Sequence, residues 1–219
     1  MSLQKYFENQ IEGSLKQYLT YLLGCFLFSI GAKFFIDSHL GTDPLDVLCI
    51  GMTLHLPISI GVASGIVAFV FLSAWSLWNR KAPPLTPFFT TLSVGFLIDL
   101  WNFLKIESFT GPLLNSYVML MIAVALCAYA SALIIMSGIG IRIMDLVAIS
   151  MVKKWNWSFF QAKMSLELLM FGVGWALGGP VGIGTIAFLF GVGPFIQPFM
   201  ALNSKAFLMT NHGLAKAHS

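Results

Sequence analysis

The chain has 219 residues, 58% of them hydrophobic and only 10% charged, with a formal net charge of +3. A soluble domain carries about 25% charged residues, so this composition excludes a water-soluble globular enzyme, and it excludes disorder, which needs low hydrophobicity and high charge. An integral membrane protein remains.

Residues 1–17 carry Lys5, Glu8, Glu12 and Lys16 among apolar residues near helical spacing (Leu3, Tyr6, Phe7, Ile11, Leu15). They read as an amphipathic lead-in. A secretory signal would have a short apolar core and a small-residue cleavage site; here the following apolar run is long enough to span. A spanning helix needs about 20 mostly apolar residues to cross roughly 30 Å of hydrocarbon. Six segments meet that test: residues 19–36, 58–78, 87–104, 114–136, 159–177 and 183–202. Their flanks are rich in Gly and Pro, and Trp75, Trp78, Trp101, Trp155 and Trp157 cluster near proposed ends, as interfacial aromatics do. Two further apolar stretches, 44–56 and 143–152, are too short to cross alone and read as re-entrant or interfacial helices.

Positive charge orients the chain. With six spans and a cytoplasmic N-terminus, Lys5, Lys16, Arg80, Lys81, Arg142, Lys153, Lys154, Lys205 and Lys216 lie inside, and Lys33 and Lys105 outside. This bias places both termini in the cytoplasm. The organisation expected is a lead-in (1–17), a first membrane repeat (18–110), a second (111–203) and a polar cytoplasmic tail (204–219).

The two halves read as copies about one hundred residues apart. Gly41-Thr42-Asp43-Pro44-Leu45-Asp46-Val47-Leu48 aligns with Gly140-Ile141-Arg142-Ile143-Met144-Asp145-Leu146-Val147, and Ser59 falls on Ser158. Three spans per copy is an odd number, so the second copy enters from the opposite side. The fold expected is therefore all-α: six transmembrane helices in two inverted three-helix repeats, each with a short re-entrant or interfacial helix. That plan is common in secondary transporters. In this reading Asp43 and Asp46 sit near the outer face, and Arg142 and Asp145 near the inner.

Ionisable groups within a bilayer are costly and mark candidate sites. Glu167 lies near the middle of the fifth span, one turn after Lys163. It is either a coupling carboxylate facing a cavity or half of a Lys163–Glu167 pair that holds the bundle. Asp43 before Pro44 suits a helix N-cap, with Asp46 in the first turn; both are also candidates to bind a cation or polar ligand. Arg142 is a natural partner for Asp145 or an anionic ligand. Thr185 offers a hydroxyl in the glycine-rich stretch between spans five and six, where glycines allow close helix packing or an unwound segment. Asp99 reads as structural, with Lys33 and Lys105 on the same side as available partners. His39 and His55 lack ligand spacing, and Cys25, Cys49 and Cys127 read as apolar packers; no metal or cofactor is expected. Enzyme signatures such as HExxH, GxSxG and Walker A are absent, and no nucleic-acid face is seen.

The blocks 41–48, Ser59-Ile60-Gly61, Gly174-Trp175-Ala176-Leu177-Gly178-Gly179-Pro180-Val181-Gly182-Ile183-Gly184-Thr185 and Gly193-Pro194-Phe195-Ile196-Gln197 resemble the YczE/YitT-like family of bacterial multipass membrane proteins, over about residues 20–203. The resemblance implies a cytoplasmic-membrane location and no defined chemistry. The function expected is a small secondary transporter or permease-like protein for a small polar solute or ion. The alternative is a non-transporting accessory, scaffold or regulatory protein. A homodimer fits either.

Overall fold

The computed structural model describes residues 14–110 and 114–206, and every regular element among them is a helix. Helix α1 runs Leu15–Asp37, α2 Pro44–Thr53, α3 Ile60–Asn79, α4 Thr86–Phe103, and α5 is the single turn Glu107–Thr110. The second half follows with α6 Ser116–Ser137, α7 Ile143–Trp155 and α8 Phe159–Ala176. The last run is Ile183–Ala187 (α9), a π-helical turn at Phe188–Val192, and Gly193–Ala206 (α10). Most of the expected lead-in and tail lies outside the described residues.

Local chemistry sets the helix starts. Ser14 and Ser158 each form a capping box, with Gln17 and Gln161. Asp43 caps α2 with Pro44 in the first turn, and Ser59 caps α3. Helices α3, α6 and α7 stop at Arg80, Gly138 and Asn156 in the left-handed region.

Among the described residues, four helices are long and apolar enough to cross a membrane: α1, α3, α6 and the run Ile183–Lys205. Helices α4 and α8 have 18 residues each, about 27 Å at 1.5 Å per residue. The sequence makes them spans of equal standing with the rest. Their polar residues, among them Asp99, Lys163 and Glu167, lower their apolar content, so six crossings belong to the functional reading below. The short helices are bounded as 44–53 and 143–155, not 44–56 and 143–152. Large apolar side chains such as Phe69, Leu77, Met121, Trp175 and Phe190 point outward, as a lipid-facing surface requires.

Two turns 99 residues apart share one hydrogen-bond pattern. Ser38 donates to the Phe35 carbonyl and accepts from the Leu40 amide; Ser137 does the same with Ile134 and Ile139. His39 and Gly138, the next residues, both have positive φ. Helices α1 and α6 pack along each other at the centre, where Phe28 O and Cys127 Sγ approach to 3.9 Å. Helix α4 lies on α1, and α10 on α6.

The contacts sort the chain ends. Lys154 Nζ donates to the Trp78 carbonyl, and the Trp78 and Trp155 rings stack at 5.2 Å. Gln17 reaches the Ser137 carbonyl, and Tyr21 bonds Thr90. Lys16, Arg80, Lys81, Lys153 and Lys154 thus gather at one end of the bundle. At the opposite end, buried Lys33 binds Asp37 (2.6 Å) and Glu107 (2.9 Å).

Candidate functional site

Helices α2 and α7 begin inside the bundle, and their first residues meet. In each half the preceding long helix ends in a serine-stabilised turn that leads the chain back inward before the short helix starts. The sequence reading placed these starts on opposite faces; the structure corrects this and joins them. Asp43 does two jobs. Its Oδ1 accepts the Asp46 amide at 2.8 Å as the N-cap, and its Oδ2 accepts Arg142 Nη2 at 3.1 Å. Arg142 occupies the same N-cap place in α7 but caps nothing with its side chain. Its guanidinium lies over the Phe28 ring, 4.6 Å from the centroid, and near Phe188 at 5.5 Å, contacts that suit a cation shielded from water.

Arg142, read from the sequence as a partner for Asp145 or an anionic ligand, pairs with Asp43 instead. The rotamer that caps α2 leaves one Asp43 oxygen free for Arg142, and Asp145 instead accepts Lys163 Nζ at 2.7 Å. Lys163 is 3.8 Å from Glu167, so the pair anticipated along α8 exists but is the longer of its two contacts. Among the described residues Asp99 pairs with no lysine: it accepts the Gly61 amide at 2.9 Å and joins α4 to the start of α3. His55 meets the Leu177 carbonyl at 3.1 Å.

Three buried oxygens complete the region. Asp46 is 5% exposed and Thr42 and Thr185 are fully buried. Thr42 lies beside the Asp46 carboxylate, and Thr185 Oγ1 has no hydrogen-bond partner among the described residues. Thr185 stands at Gly41, whose φ of +104° and lack of Cβ let the 182–185 turn close on it, with the Gly184 amide donating to the Leu40 carbonyl at 2.7 Å. All seven candidate residues (Asp43, Asp46, Arg142, Asp145, Lys163, Glu167 and Thr185) thus belong to the region around the two short helices. The cluster holds four carboxylates, Asp43, Asp46, Asp145 and Glu167, against two cations, Arg142 and Lys163. Fully ionised, it carries an excess of two negative charges. Burial makes such an excess expensive.

The reading from sequence missed Thr42, which adjoins Asp43, and buried Lys33, whose i,i+4 spacing from Asp37 was visible. It also missed how the short helices are held. Helix α2 packs tightly on α8, where a Cβ on Gly174 would stand 2.5 Å from the Leu48 amide nitrogen and one on Gly51 would strike the Gly174 carbonyl. The residues 99 positions away from this pair are Trp75 and Ser150, and there Trp75 Nε1 donates to Ser150 Oγ at 2.6 Å. One short helix is thus close-packed through glycines, and its counterpart is spaced by an indole ring.

Near Lys33 lies a cavity of about 430 Å³ lined by Asp37, His39, Glu107, Leu114, Ser116 and Met119. Among the described residues no group of three His, Cys, Asp or Glu side chains is placed to hold a metal ion.

Comparison with known proteins agrees with the resemblance read from the sequence. Residues 15–201 match DUF6198, a family of unknown function. An uncharacterized membrane protein of Bacillus subtilis (strain 168), YczE, is 25% identical over 76% of this chain and 77% of its own length. The uncharacterized protein YyaS of the same organism is 24% identical over 89% of this chain and 98% of its own. An uncharacterized protein of Haemophilus influenzae is 25% identical over 80% and 78%. No solved structure matches the chain.

Proposed function

The chain belongs to the family DUF6198, and from that premise we propose that this membrane protein is a small secondary transporter, permease-like, for a small polar solute or ion. In this reading α4 and α8 cross the membrane with the four longer helices, and the two halves lie inverted in a bacterial cytoplasmic membrane. The gathering of Lys16, Arg80, Lys81, Lys153 and Lys154 at one end supports placing that end in the cytoplasm.

One observation carries the proposal: the short helices start in mid-bundle and bring Asp43, Arg142, Asp46, Asp145, Lys163 and Glu167 together from both halves. Helices that begin within the membrane aim amide dipoles at the midplane, and binding sites between repeats use this arrangement. The unequal seats of the two short helices support two access states. The Gly51–Gly174 seat is close-packed through glycines, and the Trp75–Ser150 seat is spaced by an indole ring. Exchange of these packings opens the cluster to one side and then the other.

The test is flux through purified protein in liposomes, using labelled amino acids, nucleosides, sugars and alkali cations as probes. At least one probe is expected to move, and Glu167→Gln is expected to reduce its movement at least tenfold. If nothing moves, or the variant moves it unchanged, the proposal is wrong and a non-transporting accessory role takes its place.

A further inference from the structure

The ends of α3 and α7 meet through Lys154, whose Nζ donates to the Trp78 carbonyl at 2.7 Å and lies 4.5 Å from the centre of the Trp78 ring. The residues 99 positions away, His55 and Leu177, make the matching contact: a ring nitrogen of His55 meets the Leu177 carbonyl at 3.1 Å. The two joints share a backbone carbonyl and differ in what surrounds it. The chain neighbours of His55 are Leu54 and Leu56. Those of Lys154 are Lys153 and Trp155, and Arg80 and Lys81 follow closely on Trp78. Arg80 takes a left-handed conformation, and the Ser76 hydroxyl donates to the Lys81 carbonyl at 2.7 Å, so residues 80 and 81 fold back on the last turn of α3.

Four cations therefore stand at one joint, with no acid beside them. Residues 72–90 and 146–166 contain no Asp or Glu. Among the described residues none of Arg80, Lys81, Lys153 and Lys154 pairs with a carboxylate, and all four are exposed. Trp78, Trp155 and Trp157 stack in a row, with 5.2 and 5.1 Å between successive ring centres, and Trp155 and Trp157 are exposed. Indole rings favour the depth of lipid headgroups, which holds the four cations at the depth of the phosphates. Leu77, one residue inward of Trp78, is 80% exposed, and Phe159 and Phe160 open α8 with exposed rings. A phospholipid uses both features, its phosphate on the cations and its acyl chains on the apolar residues. A small anion or an acidic protein segment matches the charge and leaves the apolar residues unused.

We propose that Arg80, Lys81, Lys153 and Lys154, beside the Trp78–Trp155 pair, form a docking surface for an anionic phospholipid. An ammonium carries three donors, so Lys154 can keep its bond to the Trp78 carbonyl and still donate to a phosphate oxygen. Lysines and arginines clustered beside membrane helices attract anionic lipid, and the attraction accumulates with each cation within a Debye length of the surface. A lipid held here bridges the ends of α3 and α7, which come from different halves of the chain. The surface is independent of the transport reading and requires only that this end of the bundle lie at the headgroups.

The experiment uses the tryptophans as reporters. Purified full-length protein is reconstituted in vesicles of phosphatidylcholine with a fixed fraction of phosphatidylglycerol. One lipid or the other carries brominated acyl chains, which quench indole fluorescence on contact. Binding read from the quenching is expected to favour phosphatidylglycerol by about tenfold or more, and to fall towards parity at about 1 M salt, where the Debye length is about 3 Å. Two double variants, Arg80→Gln with Lys81→Gln and Lys153→Gln with Lys154→Gln, are each expected to cut the preference by about fivefold or more. The second pair of exposed side chains serves where the first does not fold. Lys105→Gln, at the opposite end of the bundle, is expected to leave the preference intact. Equal quenching by the two lipids overturns the proposal and leaves the surface to an acidic protein segment. A preference kept in a folded double variant, or lost equally in Lys105→Gln, overturns it as well. A protein that moves no solute and keeps the preference retains this surface and loses the transport reading.

Discussion

Asp43 and Arg142 stand 99 residues apart in the sequence, and they bridge each other at 3.1 Å. Each is the N-cap residue of a short helix, with φ near −65° and ψ near 150°. The pair therefore joins the starts of the two short helices. With an aspartate at both positions, two carboxylates would face each other.

The first prediction follows from that pairing. Removing one partner of a buried ion pair costs about 3–5 kcal/mol because the other is left charged and alone. Asn caps a helix about as well as Asp, so Asp43→Asn removes the charge and keeps the cap. Asp43→Asn and Arg142→Gln are each expected to lower thermal stability in detergent, and the double variant is expected to lose clearly less than the sum. Strictly additive losses would show that the two side chains do not interact.

Lys163 and Glu167 are expected to differ sharply in their effect on folding. Lys163→Met leaves Asp145 buried without its ammonium and is expected to cost about 3 kcal/mol or more. Glu167→Gln preserves the 2.7 Å Lys163–Asp145 contact and is expected to change stability by less than about 1 kcal/mol. Unfolding by detergent-phase thermal scans checks both. A Glu167→Gln protein that does not fold would mark Glu167 as structural glue.

The unequal seats of the short helices give a third prediction. Ala at Gly174 would put its methyl against the α2 backbone, and overpacking of this kind costs about 1–3 kcal/mol. At Gly172, two residues away, a Cβ would meet nothing within 4 Å, so Gly172→Ala is expected to be neutral or mildly stabilising. Trp75→Phe removes one hydrogen bond to Ser150, worth about 1 kcal/mol. Equal effects of Ala at 172 and 174 would contradict the packing described.

A pH effect is expected at the end opposite the basic cluster. The Lys33 ammonium, by direct hydrogen bond, holds the Glu107 carboxyl below its usual value. A depressed carboxyl contributes stability above its unfolded pKa of about 4.3, and that contribution is lost as pH falls through the lower folded value. Glu107 is mostly exposed, so solvent screening keeps the effect small. The Tm of the wild type is expected to fall slightly more than that of Glu107→Gln between pH 5 and pH 3. Parallel curves would show that the contact contributes nothing.

Much of the architecture was legible in the sequence because it rests on local signals. Asp43 before Pro44 reads as a helix cap from the sequence alone, and the echo from Gly41 to Gly140 needs no structure to be seen. What the sequence did not disclose depends on depth and on partners. The motif at residues 41–48 shows that a helix starts there, and not that its start lies beside Arg142. Lys163 is four residues from Glu167 along one helix, yet it prefers Asp145 on another, because tertiary packing sets that distance. Asp99 likewise had two lysines as available partners on charge alone, while a helix-start amide at Gly61 lay nearer.

The most direct measurement of the central claim is the sidedness of four positions in intact cells. Single cysteines at Arg80, Lys154, Lys105 and Leu56 are labelled with a membrane-impermeant reagent, in a background where Cys25, Cys49 and Cys127 are replaced. The account predicts that residues 80 and 154 are protected until the membrane is opened, while 105 and 56 are labelled from outside. Labelling of 80 and 154 from different sides would contradict the inverted arrangement, and with it the convergence of charge on which the transport reading stands.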